Sequence, residues 1–176
     1  MSSEGVGQRV EDPAAQSLAF RRVMREWVTG VTVLTVRAGD QAHGMTCNSF
    51  TSVSVEPPTI LVCVKVDSRT HGLVVAAGRF AINLLPASQQ ALADRYAGVH
   101  GGEAQDRFDD VAHRKGIGGE PLIDGALGWF ECRITASHPG RTHTIFVAEV
   151  ERSEVGADGA PPLVRFHSAY TGLRPP

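Results

Sequence analysis

Two short runs hold the residue types best suited to chemistry. Residues 44–54 (Gly44-Met45-Thr46-Cys47-Asn48-Ser49-Phe50-Thr51-Ser52-Val53-Ser54) crowd hydroxyl, amide and thiol side chains just before Pro57-Pro58. Such groups supply donors and acceptors without bulk, which suits a flat heteroaromatic ring with a polar tail. An edge strand with solvent-facing Ser and Thr has the same composition. The second run, Lys65–Thr70, joins an apolar segment to a helix start. Free amides at a helix N-terminus, with Lys65, Ser68, Arg69 and Thr70 beside them, can hold a phosphate. A plain N-cap flanked by two solvated cations fits the same residues.

Other combinations carry less. His43 and Cys47 have the types of a base and a nucleophile, but four residues along an extended chain set their backbones ~13 Å apart. Gly116-Ile117-Gly118-Gly119 has glycines without the spacing of a dinucleotide loop, and no GxxxxGK, HExxH or GxSxG run is present. Cys47, Cys63 and Cys132 are odd in number and form no CxxC pair, so neither a disulfide scaffold nor a metal site is expected.

The elements that must position these residues read as mostly strands. Residues 1–12 are small and polar and are expected to be a flexible tail, leaving 13–176 as one domain. From Pro13 a helix is expected, with Phe20, Val23, Met24 and Trp27 forming a core-facing stripe and Gly30 as its stop. Strands are expected at 31–36, through about Thr46, and at 49–55. Thr59–Val66 is apolar enough to be buried on both faces. A short helix follows from Ser68, then a strand at 80–85 and a helix from Ser88 to about Tyr96. Residues 97–119, with Asp106, Asp109 and Asp110 close together, read as a long surface loop. Strands at 127–136 and 143–152 are expected to flank a His138-Pro139-Gly140 turn. In the first of them Phe130, Cys132, Ile134 and Ala136 share one face, and Glu131, Arg133 and Thr135 the other. A turn at Asp158-Gly159 leads to a last strand at 163–167.

Seventeen Lys plus Arg against nineteen Asp plus Glu give a formal charge of −2, which offers no broad electrostatic footprint for nucleic acid or an anionic membrane. No apolar run approaches a membrane span, and the first thirteen residues lack a signal-peptide core, so a cytoplasmic location is expected.

The run GMTCNSFTSVSVEPPTILVCVKVDSRT, followed by GRFAINLL, HTIFVAEV and LVRFHSAY, resembles the flavin reductase-like family over about residues 17–173. These are small NAD(P)H:flavin oxidoreductases that serve two-component monooxygenases. The resemblance implies a mainly β fold: an antiparallel split β-barrel of the FMN-binding type with a few flanking helices, acting as a homodimer with flavin near the interface. It implies FAD or FMN as the flavin and NADH or NADPH as hydride donor. Thr46, Cys47, Asn48 and Ser49 match the segment that contacts the isoalloxazine and ribityl parts, and Ser52 a hydroxyl near the flavin tail. Cys63, Val64 and Lys65 match a strand whose backbone meets the ring, and Ser68, Arg69 and Thr70 match the phosphate end. His143 matches the histidine of a Gly-Asp-His segment at the nicotinamide site, although Gly140-Arg141-Thr142-His143 lacks the acidic residue. Phe166 and Tyr170 match an aromatic segment that walls the pocket, and Phe166 suits core packing equally. The implied reaction is hydride transfer from nicotinamide C4 to flavin N5, with reduced flavin passed by diffusion to a separate monooxygenase. A flavin-binding barrel without turnover and a pyridoxamine phosphate oxidase-like flavoenzyme are the rival functions.

Overall fold

The computed structural model describes residues 12–98, 108–156 and 159–173; the expected tail 1–12 lies outside them except for Asp12, which is the N-cap of the first helix, and residues 99–107 of the expected loop and Asp158 also lie outside. In chain order the elements are α1 (Pro13–Arg25), β1 (Thr29–Gly30), β2 (Thr32–Ala38), β3 (Gln41–Cys47), β4 (Thr51–Val55), β5 (Pro58–Lys65), α2 (Arg69–Ala77), β6 (Arg79–Leu84), a 3-10 turn at Ala87–Gln89 and α3 (Gln90–Tyr96). They continue with β7 (His113–Lys115), β8 (Pro121–Ile123), β9 (Gly128–Gly140), β10 (His143–Val155), β11 (Leu163–Phe166) and β12 (Ala169–Gly172).

Seven strands form one antiparallel sheet in the order β3-β2-β6-β9-β10-β5-β4, with smaller sheets β1-β11-β12 and β7-β8 beside it. β3 and β4 are the outer strands of the large sheet, each paired on one side only, so it does not close, a split-barrel arrangement. β2 explains why the sheet is covered on two sides: Leu34 and Val36 enter one apolar cluster with Val62, Phe80 and Phe146, while Val33, and Val31 just before the strand, enter another with Leu85, Tyr96 and Leu163. Buried Asn83 ties the layers together, its Nδ2 donating to Val33 O and Thr35 Oγ1 and its Oδ1 accepting from Ile123 N. No described helix is long and apolar enough to cross a membrane.

Four expectations change. The stripe of α1 faces outward: Phe20 is 67% exposed and Trp27 66%, with Val23 and Met24 also open. The C-terminal end of the helix is tied to the strands: His167 N donates to Arg25 O, Arg25 Nε donates to Ser168 Oγ, and His167 meets Glu26. It also ends at Arg25, and Gly30 belongs to β1. Second, β5 is fully buried on one face only: Ile60, Val62 and Val64 are buried, while Leu61 and Cys63 are half-buried. Third, His138-Pro139-Gly140 belong to β9, and the hairpin turns at Arg141-Thr142, where Arg141 takes a left-handed φ of 57°. Pro139 is tolerated because β6 pairs with β9 only as far as Arg133, so the missing N–H breaks no second ladder. Fourth, the loop at 97–119 contains β7, and the β7–β8 connection covers Glu131, whose carboxylate accepts from Ile117 N and is buried rather than solvated.

Candidate functional site

The polar run is positioned by β3 and the strap to β4. Thr46 Oγ1 donates to Ala93 O at 2.7 Å, tying β3 to α3. That close approach needs Gly44, because a Cβ there would stand 2.7 Å from the Tyr96 ring. Cys47 is buried at the end of β3, where Thr32 Oγ1 donates to its carbonyl at 2.9 Å and lies 3.1 Å from its sulfur. Burial pushes the Cys47 thiol up to about 11, so it is a neutral wall rather than a nucleophile. His43 lies on the same strand, as its extended spacing predicts.

Asn48 is the exposed residue at the turn, with Nδ2 donating to Thr29 Oγ1 at 3.3 Å. It borders three cavities. One, of about 760 Å³, is mainly apolar and includes Trp27, Thr32, Ser49, Phe50 and Cys63. A second, of about 490 Å³, includes Thr46, Cys47, Arg165 and Tyr170. The third, of about 560 Å³, lies between α1 and β11 and includes Phe166. These volumes are in the range that takes a ring system or one arm of a dinucleotide.

The remaining predicted residues lie along β5 and beyond it. Ser49 Oγ links the polar strap to Cys63, and Lys65 follows two residues on, ~7 Å along the same face. Lys65 is paired with His143 across the β5–β10 ladder, so both side chains stand on that face. Both are exposed, and His143 Nδ1 lies 2.9 Å from Thr142 Oγ1. Ser68 is the N-cap of α2, accepting from His71 N and donating to Lys65 O. Arg69 is exposed and Thr70 buried. Val64 is wholly in the core, so only its backbone is available to a ligand. Ser52 is exposed on β4, and with Val64, Lys65, Ser68, Arg69, Thr70 and His143 it borders none of the three cavities. The structure therefore groups Thr46, Cys47, Asn48, Ser49, Cys63, Phe166 and Tyr170 around the cavities and sets the phosphate and nicotinamide candidates at the far end of β5.

Several residues were missed. Thr32 braces Cys47 from an apolar strand, and nothing in its own run marks it. His71 Nε2 lies 2.8 Å from Thr144 Oγ1, joining α2 to β10 behind His143. Arg165 lies over the Tyr170 ring at 5.3 Å, a contact set by the β11–β12 pairing. Tyr170 itself is shifted upward by burial.

An antiparallel split barrel whose small polar strap borders ring-sized cavities, with the cavity-lining Cys47 thiol held neutral, fits a class: barrels that seat a small ligand by shape and hydrogen bonding. Residues 24–174 match the model of the flavin reductase like domain, and the chain belongs to that family. It is 34% identical over 157 residues to the reductase subunit of a flavin-dependent monooxygenase of Mycobacterium tuberculosis, covering 89% of this chain and 82% of that one. It is 44% identical over 132 residues to an NADH-dependent FAD reductase of Streptomyces globisporus, 74% and 72% of the two chains. Among solved structures, the flavin reductase component of a bacterial two-component tryptophan halogenase superposes with a TM-score of 0.83 at 39% identity, over 91% of this chain and 99% of that one. A Streptomyces globisporus NADH:FAD oxidoreductase holding NAD and FAD fragments superposes with a TM-score of 0.83 at 36% identity, over 93% and 96%.

Proposed function

We propose that the protein passes a hydride from C4 of a reduced nicotinamide to N5 of an oxidised flavin and releases the reduced flavin to a separate monooxygenase. The meeting of three cavities at Asn48 carries this reading: one residue borders room for two ring systems and for a polar arm. Family membership and the names of the relatives support it, and those names point to NADH as donor.

FAD or FMN, when bound, supplies the ring that accepts the hydride, so the chain's residues have only to bind and orient. Asn48 and Ser49 offer an amide and a hydroxyl at the rim of the apolar cavity. Phe50 and Leu84 give that cavity part of its apolar lining. Ser68 is spent on the α2 cap, so a phosphate at this helix start would be met by Lys65, Arg69 and the amides of Arg69 and Thr70. His143, exposed opposite Lys65, positions the nicotinamide.

The protein acts as a homodimer. The outer face of β5 and β10 carries Leu61, Cys63, Ile145 and Val147, half-buried neighbours in the ladder that a second barrel would cover beside the flavin groove. Anaerobic mixing of the protein with NADH and FAD tests the reaction: the flavin's visible band bleaches. No bleaching with any pairing of FAD or FMN and NADH or NADPH overturns the reductase reading.

A further inference from the structure

His143 is exposed, yet its backbone and its ring are both held. Val66 N donates to Thr142 O at 3.1 Å, which ties the β9–β10 turn to the end of β5. On the other side of the histidine, His71 Nε2 lies 2.8 Å from Thr144 Oγ1, which ties β10 to α2. The imidazole itself has one hydrogen-bond partner among the described residues, Thr142 Oγ1, 2.9 Å from Nδ1. Its neighbours along the turn and across the ladder include two cations, Arg141 and Lys65, and no acid.

The turn takes a strained form to place that hydroxyl. Gly140 pairs with His143, so Arg141 and Thr142 alone make the connection. Arg141 has a φ of 57° and Thr142 is not left-handed, a pattern that two-residue hairpins usually give to glycine at the first position. A residue with a Cβ persists there only where its surroundings fix it, and strain of this kind collects at functional sites. The bond from Val66 N is such a fixing contact.

A surface imidazole turns freely about two side-chain bonds, and a ligand that needs it in one pose loses affinity to that freedom. Threonine is β-branched and stiff about its first side-chain bond, so Oγ1 offers the ring a fixed point. The bond at Nδ1 selects a tautomer and leaves Nε2 free for a ligand.

We propose that Thr142 is a positioning residue: its hydroxyl fixes the orientation and tautomer of the His143 imidazole, and through that ring it sets how tightly the nicotinamide is held. The second half rests on the reductase reading; the first does not.

Two measurements test the two halves. Nitrogen NMR of the protein labelled in its histidine rings reads the tautomer without turnover, and His143→Ala identifies the signal. The wild type is expected to show one dominant tautomer at His143, and Thr142→Val, which keeps the branched shape and the backbone bond, a mixture. In steady-state kinetics Thr142→Val is expected to raise KM for NADH about two- to tenfold, the loss of one neutral hydrogen bond. Its kcat, KM for FMN and melting temperature are expected to change far less, and Thr142→Ser to restore the wild-type KM. In a His143→Ala background Thr142→Val is expected to add nothing, because the hydroxyl acts only through the ring. An unchanged His143 signal in Thr142→Val overturns the proposal. So does an unchanged KM for NADH, a rise of equal size with and without the imidazole, or a failure of Thr142→Ser to rescue. A ring that loses its dominant tautomer in Thr142→Val, in a protein whose wild type bleaches no flavin, overturns the reductase reading and leaves the orienting role of Thr142 standing.

Discussion

Ser49 Oγ bridges both backbone groups of Cys63, donating to its carbonyl at 3.0 Å and accepting from its amide at 3.1 Å. One hydroxyl thereby replaces the ladder bonds that β4 would make had it reached this far, and it pins the Asn48 turn to β5. Ser49→Ala leaves two part-buried backbone groups unpaired, which costs about 1–3 kcal/mol. The expected result is a lower melting temperature together with a several-fold rise in KM for flavin. An unchanged flavin KM in a destabilised variant would reduce Ser49 to a structural brace.

His143 stands exposed at the first pair of the β10 ladder, so its side chain adds little to the fold. His143→Ala is expected to melt like the wild type and to raise KM for NADH at least several-fold, with flavin binding intact. Steady-state kinetics that leave NADH dependence untouched would remove the residue from the site.

The thiols predict an alkaline weakness. Burial pushes Cys47 up to about 11 from 9.0, and burial, followed by the nearby Glu120, pushes Cys132 up to about 12. Below about pH 9 both thiols are protonated in the folded and unfolded chains, and the shifts contribute no pH dependence. Above it the unfolded chain releases protons that the folded chain keeps, so stability falls as pH rises, by about 1.4 kcal/mol per pH unit for each thiol. The fall continues to about pH 11 for Cys47 and about 12 for Cys132. Denaturant midpoints measured from pH 8 to 11 check the slope. In the same range iodoacetamide should modify half-buried Cys63 first.

Gly44 sits beneath the Tyr96 ring with no room for a methyl group. Gly44→Ala forces α3 outward or β3 inward, an overpacking that costs about 1–3 kcal/mol. Because Thr46 bonds the same helix at Ala93, the shift should reach the Cys47–Asn48 wall and raise flavin KM as well as lowering the melting temperature.

The half-buried outer face of β5 and β10 predicts the assembly. Val147→Glu places a charge among Leu61 and Ile145, and sizing chromatography is expected to move from a two-chain mass to a one-chain mass with loss of reductase activity. A wild-type protein already eluting as one chain would break the homodimer reading.

Most of the strands and the polar groove were legible in the sequence because their signals are local. The Ser68 cap, the β-branched β2 and the small polar run at 44–54 each follow from neighbours within a few residues, and the family resemblance rests on that same run. What failed depended on partners distant in the chain. The α1 stripe has the period of a core-facing helix, yet periodicity says only that one face is apolar, not that anything covers it. Glu131 has the alternation of a solvated residue and is buried because a loop from 116–120 folds over it. The cleft between α1 and β11 needed β11 to return beside the helix, 140 residues after Arg25, before Arg165 could share its lining with Arg21, Arg22 and Arg25. The sequence by itself determined the strand-rich class, the small polar run at 44–54 and the family. Only the tertiary structure decided which apolar faces stay open and which cations meet, because both are properties of contacts between segments that no local pattern encodes.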